Sequence, residues 1–238
     1  MATLIYTIFT IAHILLLIWG LRLWRQSGSI RLFLVLLPII GLVYDNAVIA
    51  LGSLPGPGEL LQSLNVGRFL LHAIITPMLI MAALDMARRA GVGWASNQIV
   101  FALFGVFTVI LILFGLSEMP RMVFEPVVYG STLRYVDTAV AGPPLPSIIT
   151  ITLIIIIGIF IWRKQRWPWL FAGALIMFIG SAMPPSVVGP AIGSGAEVVL
   201  LTSLLATEAH IQKTVKNVQD TNSSFTIHNS YWTLAFLF

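Results

Sequence analysis

Residues 98–116 read QIVFALFGVFTVILILFGL, an apolar run without one charged side chain. At about 1.5 Å per helical residue it is long enough to cross the roughly 30 Å hydrocarbon layer of a bilayer. Similar runs lie on both sides of it. Upstream are residues 2–24, 32–51 and 60–86, and downstream are 145–162, 167–183 and 191–211. The 238-residue chain is 58% hydrophobic and only 9% charged, whereas a water-facing domain carries about a quarter charged residues. Such a chain would aggregate in water, and lipid is the solvent that suits it. The expected fold is an all-α integral membrane protein. Residues 1–216 form a seven-transmembrane-helix bundle, and 217–238 form a disordered cytoplasmic tail.

Glycine and proline fall where these helices must stop: 52–58, 142–146 and 183–190. The first run stands where a signal peptide would. No basic residue precedes it and it is long enough to span, so it reads as a retained helix. The link 117–146 is long, and within it Val127-Val128-Tyr129, Gly130-Ser131 and residues 132–136 read as a short β-hairpin. That hairpin either caps the outer mouth of the bundle or merely connects helices 4 and 5. The tail is polar to Asn229 and then apolar for too few residues to span, which suits an interfacial anchor. Asn222-Ser223-Ser224 matches a glycosylation sequon on the side where it would not be used.

Lys and Arg set the orientation. Arg22, Arg25 and Arg31 follow helix 1; Arg88 and Arg89 follow helix 3; Arg163, Lys164 and Arg166 follow helix 5; Lys213 and Lys216 follow helix 7. Arg121 and Arg134 lie in the opposite links with Glu59, Glu118, Glu125 and Asp137. This alternation predicts an outside N-terminus and a cytoplasmic C-terminus in a plasma or inner membrane. It also explains the net charge of +4 as a cytoplasmic face and not a nucleic-acid surface. Trp24, Trp94, Trp162, Trp167 and Trp169 sit near the same ends, as interfacial anchors do.

Ionisable groups inside hydrocarbon cost several kcal/mol, so each needs a reason. Asp45 and Asn46 lie in helix 2, Arg68 and His72 in helix 3, and Glu197 in helix 7. These five are the candidates for ligand binding or proton relay. Arg68 and His72 are spaced i, i+4 and share a helix face. Either Arg68 snorkels to the outer headgroups, or it lies inside and pairs with Asp45 and Glu197, with His72 as a hydrogen-bonded neighbour or proton carrier. A buried ion-pair network that only fixes packing would use the same residues. His13, Tyr44 and Ser194 are secondary candidates, and His13 reads first as a satisfied bundle histidine. Pro77, one turn past His72, frees a carbonyl and can widen a pocket. Gly189 with Gly193, and Ala191 with Gly195, have the small-xxx-small spacing of close helix packing.

The sequence argues against several classes. Asp45, His72, Glu197 and His13 are acceptable metal ligands, but no close-spaced pair exists and Arg68 would repel a cation, so no metal is assigned. Predicted helix 7, residues 191–211, has no lysine, which argues against a retinal Schiff base, and no other cofactor is identifiable. There is no cysteine, so the outer disulfide of many receptors is absent. The bilayer itself is the one partner the composition names. The expected function is an outward-facing intramembrane polar pocket that binds or transforms a lipid, isoprenoid or other small amphiphile. The alternatives are a small proton- or ion-coupled transporter and a non-catalytic subunit of a larger membrane complex.

Overall fold

The computed structural model describes residues 1–27, 32–139, 145–183, 189 and 191–235. The long helices are α1 (Ala2–Ser27), α2 (Phe33–Leu51), α3 (Glu59–Arg89), α4 (Gln98–Glu118), α5 (Leu145–Gln165), α6 (Trp169–Ala182) and α7 (Ala191–Ala235). Two strands, β1 (Phe124–Tyr129) and β2 (Thr132–Asp137), pair antiparallel between α4 and α5. All the long helices except α6 are long and apolar enough to cross a membrane, six in number among the described residues. The chain is therefore an all-α, multi-pass membrane protein. α4 makes the solvent plain. It buries only Thr108 and Leu111, while Ile99, Leu103, Ile110 and Leu113 stand exposed on it. A helix apolar all round and so little covered by protein is stable against lipid, not water.

Several helices outrun the apolar stretches that announced them. α1 continues to Ser27, α3 to Arg89 and α5 to Gln165. Hydropathy marks where lipid ends, not where backbone hydrogen bonding ends. α7 carries this furthest. No glycine or proline follows Gly195 before its end at Ala235, so the tail expected from 217 begins inside a helix and not after one. α6 departs the other way. Pro168 takes the position before its first turn, and its 14 residues extend about 21 Å, short of a perpendicular span. The links 142–144 and 184–188 lie outside the described residues.

α1 packs on α2 and α7, α6 on α5 and α7, and α3 on α2, α4 and α5. Leu36, Ile39, Leu84, Ile154, Ile157 and Leu204 belong to one fully buried cluster. The closest approach of α6 to α7 comes from glycines on α6, not from those at the start of α7. A Cβ at Gly173 would strike Ser203, and one at Gly180 would lie 2.9 Å from the Cβ of Ala196.

The hairpin is seated on one end of the bundle. Its turn passes through Gly130 at φ 59°, a conformation that favours glycine. Ser131 accepts from the backbone N–H of Thr3 at 3.0 Å and, through its carbonyl, from Ser53 Oγ at 3.0 Å. Tyr135 Oη accepts from the N–H of Gly58 at 3.0 Å. These bonds tie the hairpin's turn and β2 to the ends of α1, α2 and α3. At the opposite end Arg89 bonds both Asp85 and the fully buried Glu208, clamping α3 to α7.

Candidate functional site

The polar residues of α3 form a ridge. Asn65, Arg68, His72 and Thr76 are spaced three and four residues apart, so they share one face. That face meets Asp45 of α2. Arg68 Nε donates to Asp45 Oδ1 at 2.8 Å, and Arg68 Nη1 donates to Asn65 Oδ1 at 2.7 Å. Asn65 is held in turn by its own Nδ2, which donates to the Leu61 carbonyl at 2.7 Å. The Arg68 side chain is 12% exposed and that of Asp45 6%. Arg68 is therefore buried within the bundle and paired with Asp45.

His72 extends the row towards α7. Its Nε2 is 3.5 Å from Asp45 Oδ1 and 4.0 Å from Glu197 Oε1. The first distance is at the limit of a hydrogen bond, and the second is an ion-pair distance only. Thr76 Oγ1 lies 3.4 Å from the other ring nitrogen. Asp45, Arg68, His72 and Glu197 thus come together from α2, α3 and α7 in one layer. Among the described residues no group of three or more carboxylate and imidazole side chains is arranged to hold a metal ion.

Two chambers meet at this row. The smaller, about 260 Å³, is the more polar of the two, and Asp45, Arg68, His72, Ser194, Glu197 and Arg134 are among the residues that line it. The larger, about 720 Å³, is apolar and within the roughly 300–1,000 Å³ typical of small-ligand sites. Leu42, Ile75, Ile151, Met177, Phe178 and Leu200 are among its walls. His72, Glu197, Ser147 and Gly193 line both, so the polar and apolar spaces adjoin at the His72–Glu197 gap. Among the described residues, a Cβ at Gly193 would meet nothing within 4 Å, so the space beside it is open to the chambers and does not seat a packed neighbour there.

Other expected residues stand apart from the chambers. Tyr44 donates its hydroxyl to the Leu64 carbonyl at 2.8 Å and fastens α2 to α3. Asn46 is fully buried and turns back on its own helix, donating to the Leu42 carbonyl at 2.9 Å. His13, also fully buried, places Nδ1 2.8 Å from the Phe9 carbonyl. Neither lines a chamber, and among the described residues Asn46 Oδ1 and His13 Nε2 are buried without a hydrogen-bond partner. His13 is thus a bundle histidine, but only half satisfied.

Sequence reasoning missed Arg134, Tyr6, Ser147 and Asn65. In the sequence Arg134 reads as one charge of an outer link. A local signal was present: in Leu133-Arg134-Tyr135 a charge stands between two apolar residues, and strand alternation sends the flanking pair one way and Arg134 the other. Leu133 and Tyr135 pack with Val48 and Leu61 on the tips of α2 and α3, while Arg134 turns to the chamber and donates to Tyr6 Oη at 3.3 Å. The chain matches no model of a known protein family, and no curated protein matches its sequence.

Proposed function

We propose that this protein binds or transforms a small amphiphile, a lipid or isoprenoid, with its polar end in the 260 Å³ chamber and its apolar part in the 720 Å³ chamber. The adjoining of the two spaces at His72 and Glu197 carries this reading. A polar pocket alone would suit an ion, and an apolar pocket alone would suit any hydrocarbon. Joined, they match a molecule with one polar end. In the same reading all the long helices cross the membrane, with α6 spanning by means of its flanking residues. The hairpin end faces outside and the basic end faces the cytoplasm, as the distribution of Lys and Arg favours. The amphiphile then reaches the site from the outer leaflet.

The row Asp45–His72–Glu197 favours proton relay as the second reading. Its geometry supports that less well. The three groups lie in one layer, and from Glu197 the next acidic residue of α7 is Glu208, about 16 Å further along the helix.

The test is the content of the protein purified in an uncharged detergent. Organic extraction and mass spectrometry should find one amphiphile class enriched over the bulk membrane lipids. Gly193→Leu, which places a side chain between the chambers, should deplete it. Identical lipid profiles in both proteins would defeat the proposal.

A further inference from the structure

We infer that the polar chamber seats an oxyanion, the carboxylate or phosphate head of the amphiphile, and that Arg134 receives it. This rests on the amphiphile reading above and adds the sign of the headgroup. The charges on the chamber wall lead there by elimination. Arg68 is already matched, with Asp45 at 2.8 Å and Asn65 at 2.7 Å. Glu197 stands 4.0 Å from His72. Among the described residues Arg134 has no carboxylate within ion-pair distance, although it lines the same cavity. Its Nη1 donates to a neutral phenol, Tyr6 Oη, at 3.3 Å, and its Nε is buried with no acceptor among the described residues.

A guanidinium has five N–H donors in a fixed plane and no acceptor capacity. Two oxygens of a carboxylate or phosphate fit that plane, and the bonds they make are charge-assisted. The hydroxyls of Ser147 and Ser194 line the same chamber and can donate to the same group. Asp45 and Glu197 share the wall, but Asp45 is taken up by Arg68 and Glu197 stands beside His72, so the fork of Arg134 is the donor on that wall still lacking an oxyanion in direct contact among the described residues. The location of Arg134 is also fixed, because Leu133 and Tyr135 on either side of it anchor the strand to α2 and α3.

The experiment titrates the full chain, in uncharged detergent, with tetradecyl phosphate, tetradecanol and inorganic phosphate. The wild type should bind the phosphate ester about tenfold to a hundredfold more tightly than the alcohol, the range of a charged hydrogen bond. Arg134→Gln should reduce that preference to less than about threefold and leave the alcohol's affinity in place. Arg134→Lys keeps the charge without the fork and should retain part of the preference. If Arg134→Gln does not fold, the wild-type ratio and its fall in Arg134→Lys decide the matter. Inorganic phosphate should compete weakly, since it fills only the polar chamber. If it competed as strongly as the ester, the oxyanion seat would stand but the head would belong to a free anion and not to a lipid. Equal binding of ester and alcohol, or an unchanged preference in Arg134→Gln, would overturn the inference and leave the amphiphile reading standing. No binding of either would overturn both.

Discussion

Removing one member of the Asp45–Arg68 pair should destabilise the bundle, and removing both should restore much of the loss. Asp45→Asn keeps the side-chain shape but, among the described residues, leaves Arg68 with Asn65 as its remaining side-chain acceptor. Breaking a buried ion pair from one side costs about 3–5 kcal/mol. The Arg68 side chain retains 12% exposure and borders the polar chamber, where water can solvate it, so about 3 kcal/mol is expected for Asp45→Asn. Arg68→Leu strands a carboxylate that is less exposed, and His72 at 3.5 Å is a poor substitute partner. Its cost should lie higher, at about 4 kcal/mol. In the double variant neither charge remains, and the combined loss should fall below the sum by about 2–3 kcal/mol. The assay is equilibrium unfolding by sodium dodecyl sulfate in mixed micelles, followed by tryptophan fluorescence, for the wild type, both singles and the double. Strictly additive losses would refute the pairing. The double variant also separates a site from a scaffold. A scaffold restored in stability should bind amphiphile normally, whereas a site should not.

At the opposite end, Glu208→Gln should cost about 3 kcal/mol by leaving Arg89 with Asp85 alone. Because its partners are separate from those of Asp45, its effect should add to that of Asp45→Asn in the same unfolding assay. Gly193→Ala should leave the thermal midpoint unchanged or raise it, by up to about 1 kcal/mol of helix propensity, because a Cβ there meets none of the described residues within 4 Å. Gly173→Ala should lower it, because the new carbon strikes Ser203; equal midpoints for the two variants would contradict the packing described. With no native cysteine, single cysteines test orientation without background. Val128→Cys on the hairpin should react with an impermeant maleimide from outside and Gln26→Cys from the cytoplasm; labelling of both from one side would reverse the topology argument.

The parts of this molecule legible in the sequence share one physical cause. Lipid offers no partner for a charge, so Asp45, Arg68, His72 and Glu197 drew attention as residues that must meet something. The i, i+4 spacing of Arg68 and His72 then put both on one face. Neighbouring positions were harder. Adjacent residues on a helix point about 100° apart, and nothing in Tyr44-Asp45-Asn46 says which one faces the cavity. Only Asp45 does. Length was misread where proline intervenes, at Pro168 before α6. Arg134 was hidden for a different reason. Its importance depends on the hairpin folding back over the ends of α1, α2 and α3, and no local pattern states where a link will land.

The question left open by the sequence was whether the charged cluster is a site or a fastening. Helices pack to crystal-like density, and a polar network whose task is to fasten them has no use for empty space beside it. The clamp at the other end, Asp85–Arg89–Glu208, fits that description: Asp85 and Glu208 are fully buried, and none of the three residues lines either chamber. The Asp45–Arg68–His72–Glu197 row does not fit it. All four of its members line a 260 Å³ space, two of them line a second space of 720 Å³, and at the junction stands Gly193, where an added Cβ would meet none of the described residues within 4 Å. The two networks use the same residue types in the same solvent. The space beside one of them is what supports the proposal that it serves a ligand.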